Sequence, residues 1–214
     1  MQYNQSGRTM VEMIGVLGII GLLSVGGIVA YSQAMMNYKV NHTVEQVSEI
    51  ASRITLLGEQ ATSYNGLNND VAIKMKAVPS DMINIGSSEL DNMFNGYVYI
   101  ESANLFDSEA ENSKDLAFTV TYTGLDSEAC VRLAMQNWKS GKNGSLMGVA
   151  FAPTEALKDD ISNKISLNCT NSSSASGAGA YVVGCADKLP LPADEALKGC
   201  GCDGETCIMI VKYN

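Results

Sequence analysis

The sequence predicts an α+β protein: a long N-terminal helix, membrane-spanning in its first half, packed through its second half on an antiparallel-sheet head with C-terminal disulfides. Three observations predict it. From Met13 to Tyr38 there is no charged side chain, and those 26 residues would form a helix of roughly 39 Å, longer than the hydrocarbon core of about 30 Å. Directly after this run, apolar residues recur at steps of three and four. Beyond Tyr64, short apolar runs alternate with turn formers, and all six cysteines fall there.

Length and charge bound the rest. A chain of 214 residues suits one domain of ordinary size plus an extension. The formal net charge is −9, and beyond Tyr64 there are 11 Lys/Arg against 19 Asp/Glu, so the excess acid lies outside the apolar run. A sequence-independent grip on DNA or RNA needs clustered basic residues. None is present, and no nucleic-acid partner is expected.

The first element is the apolar helix, and Glu12 is the one ionisable group at its mouth. Residues 1–38 admit a secretory signal, with Ser32-Gln33-Ala34 as a cleavage site. Against it, Glu12 interrupts the start of the apolar core, which also runs longer than a signal needs. They also admit an uncleaved anchor, for which Arg8 before the span and Lys39 after it set no clear orientation. A plain anchor gives no purpose to Glu12 or to Gly15, Gly18, Gly21, Gly26 and Gly27, each of which lowers helix propensity by about 1 kcal/mol relative to Ala. Gly26, Ala30 and Ala34 recur every four positions, a spacing that lets helices approach closely in lipid.

The second element continues the first. Val40, Val44, Val47, Ala51, Ile54, Leu57 and Ala61 form one stripe, with Glu45, Glu49, Arg53 and Glu59 among the polar positions. A single helix over residues 9–63 is expected, packed on the head; a coiled coil is the alternative use of the stripe. Tyr64-Asn65-Gly66-Leu67-Asn68-Asn69 ends it with turn formers.

In the head, Tyr97 to Ile100 reads as a short strand, and Leu116 to Thr123 as a half-buried strand by its alternation. Asp126 is placed to cap a helix with Cys130, Leu133, Ala134 and Trp138 on one face, from which Cys130 is expected to staple the helix to a later strand. Leu146 to Ala152 is a strand, and Pro153-Thr154-Glu155 opens a short helix toward Ile165. Asn171 to Gly179 is a flexible loop by composition. Tyr181 to Ala186 and Thr206 to Tyr213 are the last strands, with Asp203-Gly204 a turn.

Cys130, Cys169, Cys185, Cys200, Cys202 and Cys207 are an even set on one side of the apolar run. Disulfides formed in an oxidising compartment are expected, and six thiols permit about 15 pairings, so the connectivity stays open. A zinc site is the alternative, but Cys200-Gly201-Cys202 with Cys207 lacks paired knuckles and has no nearby His.

No catalytic constellation emerges. His42 is the sole histidine, on the amphipathic helix, and no nucleophile–base arrangement can be drawn around it. Phosphate-loop, dinucleotide, H-E-x-x-H and calcium-loop motifs are absent from the sequence. Asp159-Asp160 and Glu109-Ala110-Glu111 read as solvated acidic surface. The chain is expected to be no enzyme.

The stretch Gly7-Arg8-Thr9-Met10-Val11-Glu12-Met13-Ile14-Gly15-Val16-Leu17-Gly18-Ile19-Ile20-Gly21 resembles the N-terminus of type IV pilins and related pseudopilins. The resemblance implies a short leader, residues 1–7, cut by a prepilin peptidase between Gly7 and Arg8, with N-methylation of the new Arg8 amine. Glu12 then becomes the fifth mature residue, the family's assembly carboxylate, pairing with the Arg8 amine of a neighbouring subunit. An ionised carboxylate is costly in hydrocarbon, and more so unpaired, so such a pair would enforce register between subunits. The alternative for Glu12 is a boundary residue at headgroup level. Here Arg8 stands where the family commonly has Phe or Met, the leader lacks basic residues, and the helix lacks the Pro of many members.

The helix at Leu125 to Cys130 and the cysteines toward the C-terminus are similar to the type IVb group, although six cysteines exceed the two that many members carry. The resemblance implies four segments: leader 1–7, transmembrane and filament-core helix 8–38, its amphipathic continuation 39–63, and an α+β head 64–214. It implies an inner-membrane precursor with a periplasmic head, in contact with lipid and an assembly platform. This precursor would self-associate into a helical filament, an extracellular fimbrium for adhesion, aggregation or transfer, with no cofactor and no metal. The alternatives are a pseudopilin of a type II secretion system and a membrane-anchored binding domain that never polymerises.

Overall fold

A computed structural model of the chain describes residues 10–58, 63–84, 86–106, 113–138, 146–153, 161–165, 169, 175–176, 181–202 and 206–214. Its first element is the helix α1, Met10–Gly58. The chain divides into two compact units, Met1–Tyr38 and Lys39–Asn214. Within the second, α1 buries Val40, Thr43, Gln46, Val47, Ile50, Ala51 and Ile54. The stripe is thus covered by the chain's own head, which leaves no role for a coiled coil, while Leu57 at its end stays exposed. The helix also stops before Ser63. Tyr64 N–H donates to Asp115 O, and the Tyr64 ring lies against Gly58, where a Cβ would meet it.

After the turn at Gly66, whose φ is 79°, come α2 (Asn69–Lys74), capped by the Asn68 side chain, and η1, a 3-10 turn at Ser80–Met82. Then follow β1 (Leu90–Asp91), β2 (Tyr97–Ala103), β3 (Ala117–Leu125), α3 (Ser127–Ala134) and β4 (Leu146–Ala152). Residues 161–165 are helical, ahead of β5 (Ala175–Ser176), β6 (Val182–Cys185), α4 (Ala193–Gly199) and β7 (Cys207–Tyr213). The seven strands form one sheet in the order β1-β2-β3-β7-β4-β6-β5, every pair antiparallel.

Register explains why β3 is buried on both faces rather than half-buried. Phe118, Val120 and Tyr122 lie opposite Tyr213, Val211 and Met209. The Tyr122 hydroxyl donates to Gln46 of α1, and the Phe118 ring meets Tyr64 edge-on, so this face lies under the long helix. On the opposite face Ile208 and Ile210 join Ala150, Ala152, Val183 and Cys185 in one cluster with Ile161 and Ile165 of the second helical layer. The threonines at 119, 121 and 123 are covered as well. Alternation in a strand reports one buried face only when the other meets water.

Other expectations shift for local reasons. Helix α3 ends at Ala134, short of Trp138, whose indole N–H instead donates to Leu133 O and closes the end of the helix. Within the Asn171 to Gly179 stretch, Ala175 and Ser176 pair with β6 as an edge strand; the other residues of that stretch lie outside those described, as does the Asp203-Gly204 turn. The β2 edge beyond β1 is closed by the Asn69 side chain, which donates to Val98 O and accepts from Ile100 N–H, and by Leu67 O. A side chain stands in for a missing strand there.

Candidate functional site

Two features are candidates for function: the apolar half of α1 and the cysteine-rich end of the head. Glu12 lies in the first turn of α1. There a carboxylate complements the positive end of the helix dipole, and among the described residues it makes no ion pair. Gly7 and Arg8 lie outside the described residues. Around Glu12 the large apolar side chains are open, Val11 79 % and Leu22 78 % exposed. Ser24 and Ser32 turn their hydroxyls back onto Ile20 O and Val29 O, 2.8 and 2.9 Å away, so neither needs water. This helix is long and apolar enough to cross a membrane. A Cβ at Gly15, Gly18, Gly21, Gly26 or Gly27 would meet nothing within 4 Å, so no contact within one chain requires those glycines.

The six cysteines form three disulfides, Cys130–Cys200, Cys169–Cys185 and Cys202–Cys207, which disposes of the zinc alternative. Cys130 staples its helix to the C-cap of α4 rather than to a strand. Helices α3 and α4 lie antiparallel: Ser127 donates to Cys200 O at one end, and Leu191 N–H to Ala134 O at the other. The acidic positions 109, 111, 159 and 160 lie outside the described residues.

Sequence reasoning missed a polar network that runs from the surface of the head at Asp81 inward to buried Tyr122. His42, Gln46, Asp81 and Tyr122 converge from α1, η1 and β3. Burial opposes the charge on Asp81, but hydrogen bonds from His42, its own backbone and Gln46, with the His42 charge, outweigh it and hold the carboxyl below its ordinary value. Burial raises the Tyr122 phenol well above its ordinary range. Only the polar interruption of the stripe at Thr43 and Gln46 hinted at this. Lys212 is also fully buried in β7, its ammonium on Ser162 O at 3.0 Å.

The profile of the PilS N-terminal family matches residues 37–181. The major structural subunit of bundle-forming pilus from Escherichia coli O127:H6 is 26 % identical over 140 residues, 65 % of this chain and 69 % of that protein. Toxin coregulated pilin from Vibrio cholerae is 26 % identical over 136 residues, 60 % of this chain and 56 % of that protein. Among solved structures, type IV b pilin from Salmonella typhi aligns over 79 % of this chain and 97 % of that one, at 15 % identity and a TM-score of 0.44.

Proposed function

We propose how the N-terminus of this chain works, as a pilin of the type IVb group; the chain belongs to the PilS N-terminal family and is a type IV pilin, a structural subunit and not an enzyme. As a pilus subunit it polymerises, from a membrane-anchored precursor. A prepilin peptidase cuts between Gly7 and Arg8, the Arg8 amine is methylated, and Glu12 accepts that amine from a neighbouring copy. Residues 1–7 are the leader, 8–38 the span and later the filament core, 39–63 the amphipathic continuation and 64–214 the head. The precursor sits in the inner membrane with its head in the periplasm, and an assembly platform draws it into an extracellular fibre for adhesion, aggregation or transfer.

The observation that carries this reading is the open apolar half of α1 with a carboxylate in its first turn. Lipid covers such a surface in the precursor; sibling helices cover it in a fibre, and the charge then needs a mate. Removing one partner from a buried pair costs about 3–5 kcal/mol, so Glu12→Gln is expected to weaken subunit docking by roughly a hundredfold or more and to strip cells of fibres seen by electron microscopy. Mass spectrometry of the wild-type subunit is expected to show a methylated chain starting at Arg8. Undiminished fibres in the variant, or a mature chain starting at Met1 or Met35, overturns the proposal.

A further inference from the structure

One carboxylate oxygen in η1 has two donors. Asp81 Oδ2 accepts from Gln46 Nε2 at 2.8 Å and lies 3.0 Å from His42 Nε2. Gln46 is 3 % exposed, and its carbonyl oxygen takes the Tyr122 hydroxyl at 3.4 Å. A single oxygen therefore fastens η1 to two successive turns of α1 and, through Gln46, to the central strand β3. Beside it a cleft of about 480 Å³ runs between α1 and the chain at 73–83, lined by Glu49, Arg53, Lys76 and Asp81 among others. Across that cleft Arg53 also donates to Lys76 O, at 2.9 Å.

We propose that Asp81 is an acid-released latch: ionised, it holds residues 76–83 on α1, and its protonation loosens that segment and widens the cleft. Charge-assisted hydrogen bonds are about twice as strong as neutral ones, and both of these depend on the same negative charge. Other titratable and charged groups face His42 and Asp81 as well. On α1 they are Tyr38, a turn before His42, Glu45, 4.0 Å from His42 Nδ1, and Glu49, already paired with Arg53. From β3 comes Tyr122, which stays neutral, and from the segment itself Lys76.

The sign follows from the direction of the shift. A carboxyl held below its ordinary value of 3.8 contributes stability that is present above that value and lost as pH falls through the folded-state titration. Neutral pH keeps the latch shut.

Hydrogen exchange of the full-length chain in detergent micelles, corrected for intrinsic rates, tests this at pH 6 and pH 2.5. The Ala77 and Met82 amides, bonded to Ala72 O and Pro79 O, are the reporters. Wild type is expected to lose about fivefold more protection there than in β3 and β7 on acidification, and Asp81→Asn is expected to show the loosened segment at both pH values. His42→Gln, which keeps a neutral donor, is expected to show a smaller acid response. If the wild-type segment loses no more protection than the central strands, or if a folded Asp81→Asn keeps the wild-type acid response, the latch is overturned. Should the Asn variant not fold, the wild-type and His42→Gln comparison decides by the same criterion.

Discussion

Gly96, just before β2, and Gly124, in β3 with a φ of 75°, meet backbone to backbone. A Cβ on Gly96 would run into the Thr123 carbonyl, a group fixed in the sheet that has no room to move aside. Gly96→Ala is therefore expected to destabilise the head by about 1–3 kcal/mol, the usual cost of overpacking, read as a lower denaturation midpoint at unchanged slope. Neither glycine stands out in the sequence, because close approach of two backbones is a property of folded register. Glu12 is the opposite case. Its oddity is visible in the sequence, as a charge at the mouth of an apolar run, whereas within one chain it contacts no cationic partner among the described residues.

At the scale of elements, the Cys130–Cys200 bridge ties α3 to the end of α4 across a sequence separation of 70 residues. Closing so long a loop restricts the unfolded chain strongly, and removing such a native bridge typically costs about 2–5 kcal/mol. Replacing both cysteines by alanine is expected to lower the thermal midpoint well below that of a variant lacking Cys202–Cys207, whose separation is five residues and which constrains far less. Calorimetry of the two variants checks the order. The need for bridges was legible from the cysteine count; which thiols meet was not, since pairing follows from how α3, α4 and β6 are brought together in space. Elements α2, η1, β1 and α4 also went unread, each too short for periodicity to register.

At the scale of the whole molecule, the buried apolar core of the described residues begins at Val40, and two buried phenols, Tyr122 and Tyr213, sit in the central strands. Burial raises both above the ordinary value of 10.0. The unfolded chain sheds these protons above about pH 10 while the folded chain keeps them, so stability is full below that pH and falls as pH rises, by about 1.4 kcal/mol per unit for each phenol. Urea midpoints between pH 9 and 11 are expected to decline accordingly, and Tyr122→Phe to flatten the decline. The amino-acid order alone determined the long helix, its uncharged first half and the α+β class, because these rest on periodicity and on residue chemistry along a few turns. Only the tertiary structure decided that β3 is covered twice, which cysteines pair, and that Asp81 finds His42 and Gln46. Most of those depend on contacts between segments tens of residues apart, and no local propensity encodes a distance of that kind.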